Sequence, residues 1–303
     1  MYHKKSLGQN FLTSQSAVSK IVDTADPSGD DIILEIGPGK GVLTEKLLLF
    51  AGKVVAVEKD DNLFEFLKEK FKKEIEANKL DLIHGDILTF DPNALSFYKD
   101  LNYKLVANIP YNITGAILKK FLSSETQPEL MVLMLQKEVA QRIVAKDKKE
   151  SILSISVKIY GEPKYIQTVK AGSFSPAPKV DSAILLVENI SKKSFNPPAG
   201  ESEERFFEIL RTGFKSKRKK LVSNLIHLIP NPSPRRKEKG DNITPTPLLA
   251  ARRGVDLRAA SGGEVWKEKV LETFKKLELD PNLRAEDLDI SGWRKLVETL
   301  TEN

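Results

Sequence analysis

Residues 32–48 read Ile-Ile-Leu-Glu-Ile-Gly-Pro-Gly-Lys-Gly-Val-Leu-Thr-Glu-Lys-Leu-Leu. The first five residues are a short apolar run typical of a buried strand, and the last seven carry an apolar pattern typical of a helix. The three glycines between them let the backbone approach a ligand closely, and the helix N-terminus that follows favours negative charge. This strand–turn–helix unit predicts an α/β fold that binds a ligand at the carboxyl edge of its sheet.

Acidic residues end the next two predicted strands. Glu58 follows the strand at 54–57 and lies about 20 residues beyond the first glycine, where an acid can accept the ribose hydroxyls of an adenosine cofactor. Asp86 follows a strand near 80–83 and is placed to bond an adenine amine. Dinucleotides and S-adenosylmethionine both suit this layout. The dinucleotide pattern is G-x-G-x-x-G, whereas the spacing here is G-x-G-x-G, and glycines alone are weak evidence.

Residues 108–111, Asn-Ile-Pro-Tyr, favour the second cofactor. They follow a predicted strand at 103–107 and therefore lie at the same edge of the sheet. Asn supplies a carbonyl acceptor, Pro fixes its φ angle and so the position of a neighbouring carbonyl, and Tyr offers a flat face. An alternative is a strand-ending turn with a buried Tyr. A site that holds an amine on a planar ring suits methyl transfer, whereas hydride transfer with a dinucleotide has no use for it. We therefore predict that the cofactor is S-adenosylmethionine.

Further motifs make the chain recognisable. They occur in one order, at residues 5–12, 35–39, 58, 85–86, 108–111 and 174–182. Together they resemble the small-subunit rRNA adenine dimethyltransferase family, over residues 4–226. The resemblance implies a Rossmann-like class I S-adenosylmethionine-dependent methyltransferase domain followed by a small all-α C-terminal domain. The large-subunit rRNA methyltransferases that confer macrolide resistance share most of these motifs and are the nearest alternative.

The resemblance also implies a role for each motif residue. The residues implied to bind the cofactor are Asn10, Leu12, Gly37, Glu58, Asp86 and Asn108. Asn108 and the Pro110 carbonyl would receive the amino protons of the target adenine, with Tyr111 and Phe174 stacking on its two faces. From the residues alone, Phe174 is better explained as a core aromatic beside prolines. Glu35 is interpreted as a turn-stabilising acid and is given no role in binding.

The implied activity is methyl transfer to N6 of two adjacent adenosines in the 3′-terminal hairpin loop of 16S rRNA, giving N6,N6-dimethyladenosine. The implied partner is 16S rRNA within a small-subunit precursor. Besides the large-subunit alternative, the chain could be a non-catalytic RNA-binding assembly factor. The intact motif at residues 108–111 argues against that class, because an idle pocket would not need it.

Composition agrees with a cytoplasmic nucleic-acid enzyme. The absence of cysteine excludes disulfides and thiolate metal sites, and the three histidines have no metal-ligand spacing. We therefore predict no metal. No stretch approaches the roughly 20 apolar residues of a membrane span, and the N-terminus lacks the apolar region of a signal peptide. We predict no membrane association.

Positive charge is concentrated in the C-terminal part of the chain. Residues 1–190 hold 25 Lys and Arg against 25 Asp and Glu, so the whole net charge of +6 lies in residues 191–303. Its focus is a basic cluster, defined here as Lys215, Lys217, Arg218, Lys219 and Lys220. We predict that this cluster lies on a helix over 215–229 and contacts the RNA backbone, although such a run is often only a solvated face.

The pattern divides the chain into two predicted domains, a catalytic domain at 1–190 and a helical rRNA-contacting domain at 191–303. A leading helix is predicted at 13–25, and the predicted strands lie near 32–36, 54–57, 80–83, 103–107, 130–136, 164–170 and 182–189. The last two strands lack an intervening helix, which indicates an antiparallel pair at the sheet edge. Later helices are predicted at 202–214, 215–229, 264–277 and 291–300. Residues 230–263 are rich in Pro, Gly and basic residues and are predicted to be a mobile insertion.

Overall fold

The computed structural model describes residues 10–97, 103–195, 202–228 and 257–302. The chain divides into two compact units, Met1–Asn196 and Pro197–Asn303. No helix among the described residues is both long and apolar enough to cross a membrane.

A seven-stranded sheet forms the centre of the first unit. Its strands are β2 (Ile32–Ile36), β3 (Lys53–Glu58), β4 (Leu80–His84), β5 (Tyr103–Asn108), β6 (Leu130–Gln136), β7 (Glu162–Val169) and β9 (Ser182–Glu188). Their order in the sheet is β4-β3-β2-β5-β6-β9-β7. The first five in spatial order run parallel, whereas β9 is antiparallel to both β6 and β7. The predicted antiparallel pair at the sheet edge is therefore confirmed.

Helices cover this sheet. They are α1 (Gln15–Ala25), α2 (Val42–Leu47), α3 (Asp61–Lys70), α4 (Lys72–Glu76), α5 (Thr114–Leu122), α6 (Lys137–Val144) and α7 (Ile152–Lys158). The leading helix begins at Gln15 rather than residue 13, because the Ser14 side chain accepts from the Ala17 N–H and caps it. Strands β2, β3, β5 and β6 are almost fully buried, which explains their unbroken apolar runs.

The turn between β2 and α2 depends on its glycines. Gly41 has a φ of +74° and precedes the first residue of α2. A Cβ at this position would lie 2.5 Å from the Phe71 ring and 2.9 Å from the Leu67 side chain. Only glycine combines this backbone conformation with such close packing, and the packing fixes where α2 begins.

A second, two-stranded sheet joins the N-terminal segment to a late motif. Strand β1 (Phe11–Leu12) pairs antiparallel with β8 (Phe174–Ser175). The Ser173 carbonyl extends the contact by accepting from the Thr13 N–H and hydroxyl at 2.8 and 2.9 Å. These bonds place residues 10–12 at the edge of the first unit where β2 and β3 end.

The second unit is helical. Its helices are α8 (Glu203–Gly213), α9 (Leu221–Leu225), α10 (Leu257–Lys276) and α11 (Ile290–Thr301). Trp293 is fully buried and stacks on Phe214 with ring centroids 5.5 Å apart. A Cβ on Gly213 would lie 2.4 Å from the Trp293 ring, so this glycine allows α8 and α11 to pack closely.

Two predictions for this unit are wrong. The basic cluster does not lie on a helix, because α9 begins only at Leu221. The Asn224 side-chain amide donates to the carbonyls of Gly213 and Ser216 at 2.6 and 3.1 Å, so the chain turns here instead of continuing as a helix. Residues 257–263, predicted within the mobile insertion, form the first turns of α10. The rest of that insertion, residues 230–256, lies outside the described residues.

Candidate active site

A cavity of about 230 Å³ lies in the first unit, at the carboxyl ends of the parallel strands. Its walls come from residues 10–12, from the turn after β2, from the ends of β3 and β5, and from the loop after β4. Most residues predicted to form the site line it: Asn10, Leu12, Gly37, Glu58, Asp86, Asn108, Pro110 and Tyr111. The structure thus brings together side chains that are up to about a hundred residues apart in sequence.

Glu58 connects the cavity to the glycine turn. Its Oε1 accepts from the N–H groups of Lys59 and Asp60, each at 2.8 Å, and its Oε2 accepts from the Gly39 N–H at 3.1 Å. The side chain is only 5% exposed. Burial raises the pKa of Glu58, while the three backbone donors oppose that effect. A carboxylate has about four acceptor positions, so Glu58 keeps capacity for a ligand hydroxyl.

Asp86 is held as an ionised acceptor. Its Oδ2 accepts from the Lys59 ammonium at 2.8 Å, and its Oδ1 accepts from the Leu88 N–H at 2.9 Å. The hydrogen bond from Lys59 holds the pKa of Asp86 below its ordinary value. Because an ionised carboxylate has no proton to donate, Asp86 can only accept a hydrogen bond, as recognition of an amine requires.

Asn108 has a defined amide orientation. Its Nδ2 donates to the Asn10 carbonyl at 3.1 Å. A backbone carbonyl can only accept, so the NH₂ group must be the end of the amide that faces Asn10. The carbonyl oxygen Oδ1 is therefore the other end, on a side chain that lines the cavity. The N-terminal segment thus sets Asn108 as an acceptor toward a ligand.

Pro110 and Tyr111 follow at the end of β5. The Pro110 carbonyl accepts from the Ile113 N–H at 3.1 Å, which closes a short 3₁₀ turn and leaves the second lone pair of that carbonyl available. The Tyr111 hydroxyl lies 2.8 Å from the hydroxyl of Ser182. Burial raises the pKa of Tyr111, so its hydroxyl stays neutral.

Phe174 does not line the cavity. It lies on β8, is 4% exposed, and packs in the core cluster that also contains Leu12, its partner across the two-stranded sheet. This position agrees with the interpretation of Phe174 as a core aromatic, which the residues alone favoured over a role in stacking.

Glu35 lines the cavity but was not predicted to bind a ligand there. It is 1% exposed and lines the wall near Gly37, and its Oε2 has no hydrogen-bond partner among the described residues. Burial, reinforced by the negative charge of Glu58, raises the pKa of Glu35 to about 8. The signal was present in the sequence, because a lone carboxylate within an apolar strand is costly unless it has a role.

The N-terminal segment packs directly over the glycine turn. A Cβ on Gly39 would lie 3.0 Å from the Phe11 ring, and the Lys40 ammonium lies 5.0 Å from the centre of that ring. Residues 5–9 of the N-terminal motif lie outside the described residues. The five residues of the basic cluster belong to the second unit, where all of them are exposed.

The chain matches known proteins over nearly its whole length. Residues 2–246 match the family described as ribosomal RNA adenine dimethylase. The chain belongs to this family. It is 39% identical over 300 residues to a ribosomal RNA small subunit methyltransferase A of Dehalococcoides mccartyi, covering 99% of this chain and 89% of the relative. Its identity to the Geobacillus thermodenitrificans protein of the same name is 38%, with coverages of 98% and 90%. The predicted family is therefore confirmed.

Solved structures support the fold of this dimethylase. A dimethyladenosine transferase from Plasmodium falciparum has a TM-score of 0.72 and 26% identity, covering 94% of this chain and 95% of that one. The 23S rRNA methyltransferase ErmE has a TM-score of 0.69 and covers 97% of this chain and all of its own, but its identity of 22% supports the fold alone. The predicted class I methyltransferase fold followed by a helical region is confirmed.

Proposed function

We propose that this dimethylase transfers methyl groups from S-adenosylmethionine to N6 of two adjacent adenosines in the 3′-terminal hairpin loop of 16S rRNA, within a small-subunit precursor. The observation that carries the proposal is the orientation of Asn108. Its amide oxygen is turned away from Asn10 by the hydrogen bond at Nδ2, at the end of β5 where the Pro110 carbonyl follows. Two acceptors on neighbouring residues are what an exocyclic amine with two N–H groups requires.

The residues present fit the proposed cofactor. Gly37 and Gly39 have φ angles of +63° and +61°, so the turn brings backbone rather than side chains to the cavity wall. Glu58 would hold the ribose hydroxyls, and Asp86 would accept from the adenine amine. Asn10, Leu12 and Asn108 would enclose the methionine end. When bound, S-adenosylmethionine supplies an electrophilic methyl group.

The side chains then act by positioning. An adenine amine is a poor nucleophile, because its lone pair is delocalised into the ring. Acceptors at Asn108 and Pro110 favour the geometry in which the lone pair is freed from the ring and aimed at the cofactor. Such alignment can contribute on the order of 7 kcal/mol or more to lowering the barrier, without a general base.

The target base must leave its stack to reach this cavity, which costs a few kcal/mol. Tyr111 lines the cavity and is the proposed stacking partner that offsets this cost. Phe174 enters the proposal only through the family resemblance, since its side chain is buried in this structure. Stacking by Phe174 requires its ring to leave the core.

We propose that the basic cluster of the second unit contacts the RNA backbone. All five side chains are exposed, and none has a resolved ion-pair partner among the described residues. Exposed Lys and Arg side chains bind phosphate and release counterions when they do so.

The nearest competing target is large-subunit 23S rRNA. The decisive experiment incubates the protein with each ribosomal subunit precursor and labelled S-adenosylmethionine, and then maps the modified adenosines. We expect N6,N6-dimethyladenosine at two adjacent positions in 16S rRNA only. Label in 23S rRNA would transfer the assignment to the large-subunit class, and no label in either would support a non-catalytic assembly factor.

A further inference from the structure

Ser182 contacts the proposed base-stacking residue from outside the cavity. Its hydroxyl lies 2.8 Å from the Tyr111 hydroxyl, although the two residues are 71 positions apart. Ser182 is fully buried and is not part of the cavity wall, whereas Tyr111 lines it. The hydrogen bond therefore lies on the buried side of the tyrosine, at a serine hydroxyl that solvent does not reach.

The backbone holds Ser182 firmly in place. It is the first residue of β9 and pairs with Gln136 of β6 on one side and Val169 of β7 on the other. The preceding residue, Asp181, accepts from the Lys137 N–H through its carbonyl and from the Ala171 N–H through its side chain, at 3.0 and 3.1 Å. Because strand pairing and the hydrogen bonds of Asp181 hold Ser182 in the central sheet, its hydroxyl is a hydrogen-bond partner with a fixed position for Tyr111.

The position of the Tyr111 ring is only weakly fixed by its own backbone. Tyr111 begins a 3₁₀ turn of three residues after β5, so its own backbone is held by little regular structure. The χ1 angle of an aromatic side chain has three staggered wells, and each of them points the ring in a different direction. A hydrogen bond to the phenolic oxygen fixes where the far end of the ring lies, and so it keeps χ1 in one well.

We propose that Ser182 is a positioning residue, which fixes the position of the Tyr111 ring so that one face is ready for the target adenine. The proposal rests on the proposed function, because it needs Tyr111 to stack on the base. It explains why a tyrosine rather than a phenylalanine occupies this position. The hydroxyl serves as the attachment of the ring to the sheet, without contacting the reacting atoms.

A double-mutant cycle tests this role. The single-turnover rate of methyl transfer is measured for Ser182→Ala, Tyr111→Phe and the double variant. Each single substitution should slow transfer by about 3- to 10-fold, the effect expected for loss of one neutral hydrogen bond. The double variant should be no slower than Tyr111→Phe, because Ser182 affects the base only through its hydrogen bond to Tyr111. Affinity for S-adenosylhomocysteine, measured by calorimetry, should not change.

Ser154→Ala is the matched control. Ser154 is also fully buried in the first unit, but it lies outside the cavity and completes the capping box of α7 by accepting from the N–H of the N-cap residue, Ser151. Its loss should lower the melting temperature without changing the transfer rate. All variants are compared at a temperature at which circular dichroism shows them folded.

Two results would overturn the proposal: full activity of Ser182→Ala, or a double variant slowed by the product of the two single effects. Full activity of Tyr111→Ala would be a different failure, because it would remove the stacking role of Tyr111 itself.

Discussion

The Glu58 carboxylate accepts from the Gly39 N–H at 3.1 Å, which ties the end of β3 to the glycine turn that follows β2. One buried acid therefore has two tasks. It fixes the backbone of the turn, and its remaining acceptor capacity faces the cavity. In the proposed function, binding of the cofactor and the shape of the turn depend on the same side chain.

The first prediction concerns this acid. Glu58→Ala should weaken binding of S-adenosylhomocysteine by roughly 1.5–3 kcal/mol, the scale of a hydrogen bond to a charged group. The melting temperature should also fall, because three backbone donors lose their acceptor. Calorimetry measures the affinity. Glu45→Ala is the control, since that carboxylate is exposed and bonded to Lys70. Unchanged affinity in Glu58→Ala would remove Glu58 from the cofactor site.

The second prediction concerns Asn108. Asn108→Ala removes an acceptor that we propose acts mainly in the transition state, so it should lower the transfer rate by about 10²–10³ with little effect on RNA affinity. Asn108→Asp should also be slow, because a carboxylate oxygen would face the Asn10 carbonyl. Asn93→Ala is the control, as its side chain bonds to Thr126 away from the cavity. Near-normal methylation by Asn108→Ala would contradict the assigned active site.

The third prediction concerns the basic cluster. Replacing Lys217, Arg218, Lys219 and Lys220 by Gln should weaken RNA binding and reduce the slope of log K against log salt by about 0.7–0.9 per lost phosphate contact. Affinity for S-adenosylhomocysteine should not change, because the cavity is built from the first unit. The control replaces four exposed lysines of the first unit, Lys68, Lys72, Lys73 and Lys79. An unaltered salt slope would make the cluster a solvated surface.

The fourth prediction uses pH. Glu35 has a folded-state pKa of about 8 against an ordinary value of 4.5. The unfolded chain therefore loses this proton first, and the group costs increasing stability as pH rises between those two values. The free energy of unfolding of Glu35→Gln, relative to the unsubstituted protein, should increase by up to about 1.36 kcal/mol per pH unit in that window. Urea unfolding between pH 5 and about 8 measures it. A pH-independent difference would show that Glu35 is ionised throughout.

Much of the fold was predictable because buried parallel strands are continuous apolar runs with an acid or a glycine at the carboxyl end. Every strand of the large sheet was predicted to within a few residues. The order of the strands and the two-residue strands β1 and β8 were not, since such short pairings leave no periodic signal. The helical beginning of α10 was missed because Gly262 and Gly263 argued against a helix, and tertiary packing of Trp266 and Val270 outweighs that preference.

The residues that form the site could be predicted from the sequence, but most of the hydrogen bonds between them could not. Glu58, Asp86 and Asn108 could be placed at one edge of the sheet from their positions after strands. The bonds from Lys59 to Asp86 and from Ser182 to Tyr111 join segments far apart in sequence, and nothing local encodes them. Glu35 had a local signal, a carboxylate within an apolar strand, but its raised pKa, and the lack of a partner for its Oε2 among the described residues, depend on neighbours from other elements.

The hydrogen bond from Asn108 to Asn10 has a consequence for which methylation states of the target amine can bind. The Asn10 carbonyl engages the NH₂ end of the Asn108 amide and leaves the oxygen as the acceptor, so binding in the proposed site depends on how many hydrogens the target nitrogen carries. An unmodified adenine amine has two hydrogens, a singly methylated amine has one, and a doubly methylated amine has none. The dimethylated product should therefore bind less tightly than the substrate. A base with a carbonyl oxygen at that position would face two acceptors and be repelled. RNA with inosine in place of the target adenosines should therefore compete poorly for the protein.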